Sequence, residues 1–520
     1  MDVTSHRPSA AQGAVAGAVA AATALAVGEL GSALAGLVVS PVLGVGGRFV
    51  DRFAASLKEV AVALFGTNDK AALVVGTLVV TVAIGAMTGV VARRHRWLPW
   101  LVFPVFGVVG ALAQLSDPRI SGPAPWVVAG VSAGLGAAAL GVLLRAASPP
   151  PLPLGSHTGP AAEPAPGDRR RFLIGAGAMA IGAVAMAATG RAMARVDVVA
   201  DAARRFHLRR PGRRRPVPDP TFTVPGLSPA VTPTRDFYRI DTALSSPQID
   251  PSWWRLRVEG LVDRPFELTF DELLALPSVE EPVTLQCVSN EIGGGLVGTA
   301  VWQGVPLADL LDRAGVRPDA EQVFTRSVDG WTAGFPLAAA GDGRVALVAY
   351  AMNGELLPVA HGFPARLVVS GLYGYVSATK WVESIELTRW DGVDGYWVPR
   401  GWSKDGPVKL ASRIDVPRSG ATVAAGPVTV AGVAWLPAVG VDTVEVAVDD
   451  GPWRLAELGP VASEHTWVQW RRRVELRAGA HRIRVRATDA TGRVQTADHA
   501  EPAPDGATGH HQVHVTAAAP

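Results

Sequence analysis

Five apolar stretches crowd into the first 195 residues: Ser9–Gly28, Ala71–Ala92, Leu98–Leu115, Ala124–Leu144 and Phe172–Gly190. Each approaches the roughly 20 residues that a helix needs to cross a hydrocarbon layer. A bilayer offers no water to unpaired backbone, so helix is the conformation open to them. This feature constrains the chain more than any other. It divides residues 1–195, a membrane anchor of about five transmembrane helices, from a remainder that must fold in water. A sixth run, Leu30–Gly47, is broken by Ser40, Pro41 and several glycines. It reads as an interfacial segment that uses Leu37, Val42 and Phe49 and continues into Arg52, Lys58 and Glu59.

Basic residues orient the spans. Arg93, Arg94 and Arg96, Arg145, and the triplet Arg169, Arg170 and Arg171 all fall on one side if five spans alternate from a cytoplasmic amino terminus. Everything after residue 190 then lies outside the cytoplasm, giving a multi-pass cell-membrane protein whose first partner is the lipid bilayer. Arg169-Arg170-Arg171-Phe172-Leu173 also resembles a twin-arginine export signal, which would suit a domain loaded with a cofactor before export; an ordinary basic flank is the alternative. The spans contain no histidine, and His6, His95 and His157 stand outside them, which excludes a bis-histidine haem held within this chain. The four spans after the first carry no charged side chain, which argues against an ion path. A net charge of +2 without a basic stripe argues against nucleic acid.

Two stretches read as linkers. Ser148–Gly167 is crowded with proline and should be extended. Arg209–Pro220 sets Arg210, Arg213, Arg214 and Arg215 among prolines and reads as a solvated spacer inside a linker over 196–230. Residues 231–406 mix short strands and short helices, which indicates an α+β domain. RLRVEG (Arg255–Gly260) alternates like a strand, and FELTFDELLAL (Phe266–Leu276) reads as a strand followed by a short helix with Asp271 and Glu272 in its first turn. PLADLLDRA (Pro306–Ala314) is an amphipathic helix stopped by Gly315, and RLVVSG and KWVESIEL are further strands.

Cys287, in VTLQCVSNE, is the only cysteine of 520 residues. It stands where a β-prone run opens into a polar loop ending in Gly293–Gly295. Without an intrachain partner its uses are packing, catalysis, metal ligation or an intermolecular bond. Three clusters could converge on it: Arg235-Asp236-Phe237-Tyr238-Arg239, His361-Gly362-Phe363-Pro364-Ala365-Arg366, and Tyr373-Gly374-Tyr375 running on to Ala378-Thr379-Lys380-Trp381. Cations, hydroxyls and glycine amides together suit a phosphate and the edges of a polar heterocycle.

These motifs resemble the sulfite oxidase family of molybdopterin enzymes: TLQC-x-x-N, then H-G-x-P-x-R, then G-Y-x-x-A-T-K-W, in order across roughly residues 230–516. The resemblance implies a molybdenum cofactor with a single pyranopterin (Mo-molybdopterin) and Cys287 as the one protein ligand to the metal. It further implies that His361, Arg366, Ala378, Thr379 and Lys380 hold the pterin and its phosphate, with Tyr238, Arg239, Arg235 and Ser327 as further cofactor contacts. Sulfite oxidases carry an arginine five residues after the cysteine, where this chain has Ile292, and the arginine of their carboxy-terminal domain has no obvious counterpart here. Arg239 and Tyr396 are the expected substrate contacts. Each charge-assisted partner of a dianion is worth about 1.5–3 kcal/mol, so the missing arginines favour a less charged oxyanion, an S-oxide or an N-oxide over sulfite.

From residue 407 to 520 the pattern is all β, with turns at Asp450-Gly451 and Thr491-Gly492. It reads as an immunoglobulin-like sandwich, resembling the family's dimerisation domain, which implies pairing of two copies. The expected whole is a multi-domain chain: transmembrane α-helices, a central α+β sulfite-oxidase-type molybdopterin-binding domain, and an immunoglobulin-like β-sandwich. Its expected function is an extracytoplasmic oxidoreductase moving an oxygen atom on a small S- or N-containing substrate, with a true sulfite oxidase or dehydrogenase as the alternative. No CxxCH and no iron–sulfur cysteine set is present, so electrons would pass to a separate protein or a quinone. Two readings from other classes stay open here: a Cys287 nucleophile with His361 as its base, and a non-catalytic cell-surface binding protein.

Overall fold

The computed structural model describes residues 8–52, 69–148, 166–193, 198–219 and 222–519. They form two compact units, Met1–Val196 with Thr242–Gln248, and Asp197–Asp241 with Ile249–Pro520.

The first unit is helical: α1 (Ala10–Leu34), α2 (41–52), α3 (Asp69–Ala92), α4 (Pro99–Leu115), α5 (Ala124–Ala146) and α6 (Pro166–Met193). Within α1, α3, α5 and α6 lie segments long and apolar enough to cross a membrane, whereas α4 has only 17 residues and contains Pro104. The interfacial run divides: residues 30–34 complete α1, and the helix resumes at 41. Small residues set the closest approach in this unit. A Cβ on Gly17 would stand 2.0 Å from the Gly85 carbonyl oxygen, and one on Gly89 would stand 2.0 Å from that of Gly13. Each helix places these glycines four residues apart, the spacing that lets two apolar helices touch backbone to backbone. The segment Thr242–Gln248 joins this unit through Lys70 Nζ, which donates to the Ala243 carbonyl at 2.6 Å, and through Leu244 against Gly46. The proline-rich stretch 149–165 lies outside the described residues.

The second unit opens with α7 (Val198–Arg205) and β1 (Arg213–Arg214). There follow β2 (Arg255–Gly260), β3 (Phe266–Thr269), α8 (Phe270–Ala275), β4 (Val279–Gln286), β5 (Val297–Pro306) and α9 (Leu307–Ala314). Then come β6 (Gln322–Ser327), β7 (Thr332–Pro336), β8 (Ala346–Met352), β9 (Glu355–Leu356), β10 (Arg366–Val369), α10 (Gly374–Ser377) and β11 (Val382–Thr388). One sheet runs β1-β4-β5-β8-β10 with β9 beside β8, and the other runs β3-β2-β11-β6-β7. Local chemistry fixes the helix ends, at Gly315 as the sequence predicts. Thr269 and Glu272 form a reciprocal capping box at the start of α8, and Gly315, at φ +70°, closes α9 in the left-handed region.

The expected solvated spacer is corrected at its basic run. Residues 213 and 214 add a parallel edge strand to β4. Arg214 reaches Glu280 at 2.5 Å, and Arg213 and Arg215 reach Glu281 at 3.1 and 2.7 Å. Both glutamates are buried in β4, so the arginines neutralise carboxylates that would otherwise be costly to desolvate.

The carboxy-terminal region holds β12 (Ala411–Val416), β13 (Thr422–Ala424), β14 (Gly426–Trp435), β15 (Val441–Val448), β16 (Arg454–Leu455), β17 (Glu457–Leu458), β18 (Val468–Leu476), β19 (Gly479–Asp489) and β20 (Gln512–Ala518). They make two sheets, β12-β14-β18-β17 and β13-β20-β19-β15-β16. One apolar cluster, including Val430, Trp470, Ile483, Val485 and Val515, draws on both sheets. The core of the central domain continues into this region through Val433, Trp435 and Trp467.

Candidate functional site

Cys287 follows directly on β4, which lies between β1 and β5 in its sheet, and is buried. Its amide donates to the Leu296 carbonyl (3.0 Å) and its carbonyl accepts from the Asn290 amide (3.0 Å). The Asn290 side chain in turn accepts from the Leu296 amide at 2.7 Å, so the asparagine of TLQC-x-x-N closes the loop that presents the sulfur. On the strand side, Trp435 of β14 donates its indole N–H to the Gln286 side chain at 2.7 Å. The β-rich region also backs the glycine run. Arg413 donates to the Gly294 carbonyl at 2.7 Å, the His511 ring faces Gly293, and Ile292 packs on Gly509.

Two tyrosines sense the cysteine. Tyr238 has its phenol pushed strongly up by burial, and further by negative charge on Cys287, against the pull of Arg366. Tyr373 is pushed up to about 12, mainly by burial, with Asp505 and Cys287 adding to it and a bond from the Lys409 amide opposing. Gly374, which opens α10, lies where an added Cβ would stand 3.8 Å from the Gln286 carbonyl oxygen, 3.9 Å from the Tyr238 hydroxyl and 3.6 Å from the Ala378 methyl. The three sequence clusters therefore do converge on the end of β4.

The cations behind them differ in kind. Arg366 is buried at the start of β10 and lies 4.9 Å from the Trp302 ring centre. Its guanidinium bonds only carbonyl oxygens, those of His361 (3.2 Å), Leu367 (3.3 Å) and Ala378 (3.4 Å). Burial draws its pKa down to about 10. Among the described residues no carboxylate pairs with it, so a positive charge sits inside the fold without a counter-charge. That is costly unless an anion supplies one. Lys380 is different, pairing with Asp241 at 2.9 Å while both side chains are mostly buried. Gly362, at φ +110°, lets His361, Arg366 and Lys380 approach, since a Cβ there would lie 3.0 Å from Arg366 Cβ and 3.2 Å from Lys380 Cα.

His361 is buried with Nε2 at 3.1 Å from the Thr234 carbonyl, which requires the proton on Nε2. Burial first, then Arg366 and Lys380, push its pKa down to about 4. A histidine neutral when folded and protonated when unfolded costs stability as the pH falls through the gap between the two values. In cofactor-free protein its share is complete above about pH 6.5 and lost between there and about pH 4, roughly 3 kcal/mol in all. Chemical denaturation of the His361→Gln variant at pH 7 and pH 4.5 should show a shallower pH dependence than the unaltered chain. An unchanged slope would contradict a neutral His361.

The remaining predicted residues are placed less uniformly. Ser327 is buried, and its hydroxyl has no partner among the described residues. Thr379 is buried with its hydroxyl 2.6 Å from that of Thr325. Ala378 serves through its carbonyl, which accepts from Arg366. Arg235 is exposed beside Asp236, and Arg239 is exposed within electrostatic reach of His361. Tyr396 joins β7 by its amide, which donates to the Thr332 carbonyl at 3.0 Å, and Arg400 lies 3.7 Å from its ring centre. From Tyr396 the rings of Trp397, Trp402 and Tyr375 lead to α10. Sequence reasoning missed Asp241, Arg400 and the burial of Tyr373. None belongs to a pattern with a period, and only three-dimensional proximity reveals them.

Residues 243–397 match the family described as the oxidoreductase molybdopterin binding domain. An oxidoreductase of Bacillus subtilis, YuiH, whose function is uncharacterised, is 38% identical over 159 residues, covering 30% of this chain and 76% of its own. The mitochondrial sulfite oxidase of Mus musculus is 32% identical over 305 residues, covering 50% of this chain and 54% of that one. The chain belongs to the sulfite oxidase family. It is a molybdenum-cofactor-dependent oxidoreductase, and its cofactor is a molybdopterin. The chain spans about half the length of the sulfite oxidases it matches. Among solved structures, the sulfane dehydrogenase SoxCD of Paracoccus pantotrophus aligns with 52% of this chain and 76% of its own at 24% identity and a TM-score of 0.46. For a family member, the uncompensated Arg366 and the orphan hydroxyl of Ser327 make physical sense. A cofactor bearing a phosphate and a polar heterocycle would fit these buried groups, since it carries an anion and hydrogen-bonding edges of the kind they lack among the described residues.

Proposed function

We propose that this chain is a membrane-anchored, extracytoplasmic member of the family that transfers an oxygen atom on a small S- or N-containing substrate carrying less charge than sulfite. The observation that carries the substrate class is Ile292. Where the family's sulfite oxidases place an arginine, this chain puts an apolar side chain against Gly509.

Cys287 ligates the metal through its thiolate, a soft donor suited to it. Among the described residues no three His, Cys, Asp or Glu side chains gather as a metal cage, which supports a metal that would be held by its cofactor with Cys287 as the one protein ligand. When bound, the cofactor supplies the two-electron oxygen-atom exchange. Arg366, with Lys380, holds the phosphate, and neutral His361 and Tyr238 flank the pterin, with Ser327, Ala378, Thr379 and Arg235 as further contacts. Arg239 and Tyr396 meet the substrate, with Arg400 lying 3.7 Å from the Tyr396 ring centre.

The apolar helices and the basic clusters between them support multi-pass anchoring and an outward-facing second unit. The two facing β sheets support an immunoglobulin-like sandwich and, through it, a homodimer. The domain bounds 1–195, 196–230, 231–406 and 407–520 remain our division, with 198–219 and 222–230 reassigned from linker to the second unit. The deciding experiment is molybdenum analysis of full-length protein from a cofactor-competent host, with rates on a dialkyl S-oxide and on sulfite using artificial redox dyes. One molybdenum per chain and S-oxide turnover at least tenfold faster than sulfite is the expected result. Absence of molybdenum would overturn the whole reading, and faster sulfite turnover would overturn its substrate half.

A further inference from the structure

The β-rich region holds the chain on both sides of Cys287. Ahead of the cysteine, besides the Trp435 bond to Gln286, the Trp467 amide donates to the Thr284 hydroxyl at 2.8 Å and the Thr284 amide donates to the His465 carbonyl at 2.9 Å. Behind it, two successive residues of β12 hold two successive glycines. Arg413 donates directly to the Gly294 carbonyl at 2.7 Å. The Ile414 amide donates to His511 Nδ1 at 3.0 Å, and the far edge of that ring rests on Gly293, where an added Cβ would stand 2.3 Å from Nε2. Gly293 has φ +76°, so the loop turns there in a conformation that favours glycine.

Arg413 is aimed from behind as well. Its Nε donates to Asp415 at 2.7 Å and one Nη to the Ser228 hydroxyl at 2.9 Å, and Asp415 also accepts from the Ser228 amide at 3.0 Å. The Arg413 and Asp415 side chains are only 12% and 8% exposed. Asp415 already balances the charge and, with Ser228, fixes the plane of the guanidinium, so the bond to Gly294 is not needed to neutralise the arginine. What that bond fixes is the loop, because a charge-assisted bond is short and directional. The restraint passes inward from there. The Gly294 amide donates to the Glu291 carbonyl at 2.9 Å, and an added Cβ on Gly294 would stand 2.7 Å from Asn290 Oδ1, the atom that accepts from the Leu296 amide. The Leu296 carbonyl accepts from the Cys287 amide.

We infer that Arg413, with His511 beside it, is a positioning residue for the metal site, acting through Gly294 to hold the Cys287 sulfur in the orientation in which its thiolate meets the molybdenum. The inference rests on the reading of Cys287 as the metal ligand. Overlap between a sulfur and a metal depends on the direction from which the sulfur approaches, so a loop free to shift weakens the bond without losing the ligand.

The test uses the full chain carrying Arg413→Met together with Asp415→Asn, a pair that removes the guanidinium without stranding a buried carboxylate. Cys287 is the only thiol, so labelling with iodoacetamide reports on it alone. In cofactor-free protein the labelling should run at least fivefold faster than in the unaltered chain. In the molybdenum-loaded fraction the thiolate-to-metal absorption should shift in wavelength or lose at least half its intensity. Arg486→Met, which breaks an ion pair with Glu445 (2.7 Å) elsewhere in the β-rich region, should change neither. An unchanged labelling rate, an unchanged absorption, or equal changes in the Arg486→Met control would leave Arg413 a structural partner of Asp415 and overturn the inference. If the paired variant does not fold, His511→Leu, read by the same two measurements, decides. If Cys287 is not the ligand, the unaltered holoenzyme itself lacks that absorption, a result that overturns the ligand reading first and this inference with it.

Discussion

Replacing Cys287 by serine should lower turnover by about 100-fold or more while leaving the fold in place. A change in the groups that merely orient a metal's ligands costs about 10–100-fold, and removal of the single protein ligand itself should cost no less. The sulfur is the only atom altered. The backbone bonds that shape the loop, from Cys287 to Leu296 and from Asn290 to Cys287, involve main-chain atoms and survive, as does the Asn290 bond to Leu296. A serine hydroxyl fits the volume but does not ionise as a thiol does, so it offers the metal a hard neutral donor in place of a soft anion. Denaturation midpoint and far-ultraviolet circular dichroism should match the unaltered protein, and the visible absorption from thiolate-to-metal charge transfer should vanish. Turnover within tenfold of wild type would remove Cys287 from the metal. It would return the residue to the packing role that its burial alone permits.

How much of this was legible beforehand depended on whether the signal was local. The apolar helices, the short helix with Asp271 and Glu272 in its first turn and the stop at Gly315 follow from nearest neighbours in the chain, and the structure places them within a few residues of expectation. Strands β15 and β19 of the β-rich region alternate and were readable for the same reason. The inner strands β4, β5 and β8 are buried almost throughout, so the alternation that marks a half-exposed strand is absent from them. Glu280 and Glu281 obscured β4 further, because charge reads as surface until Arg213, Arg214 and Arg215 are brought alongside from more than 60 residues away. The site divides in the same way. Cys287, His361, Arg366 and Lys380 stand in short motifs whose residue types already suggest anion and metal chemistry. Asp241, which holds Lys380, and Trp435, which holds Gln286, come from distant segments with no motif of their own. The β-rich region was expected to be a separate pairing module, yet Arg413, His511 and Gly509 brace the loop that follows the cysteine. A domain that shares its core with its neighbour through Trp435 and Trp467 can position a site without supplying a ligand to it.

Arg366→Met should move cofactor retention and stability in opposite directions. The guanidinium is buried, paired with carbonyl oxygens alone, and has had its pKa drawn down to about 10. In cofactor-free protein that charge has only the facing Trp302 ring and three carbonyl dipoles to offset its lost hydration. Methionine keeps most of the volume over Trp302 and carries no charge, and replacing a buried ion by an apolar side chain of similar size is often neutral or stabilising by about 1–4 kcal/mol. The cofactor-free variant should therefore unfold at the same or a higher denaturant concentration. Cofactor binding should suffer, because two charge-assisted bonds to a phosphate, about 1.5–3 kcal/mol each, are lost together, a weakening of about 10²-fold or more. Molybdenum per chain after extensive dialysis should fall well below that of the unaltered protein, and Arg366→Lys, which restores charge without the bidentate fork, should lie between. Both halves are needed. A variant that loses stability by several kcal/mol without its cofactor would make Arg366 a structural arginine, and one that keeps its full complement of molybdenum would mean that the phosphate is held elsewhere.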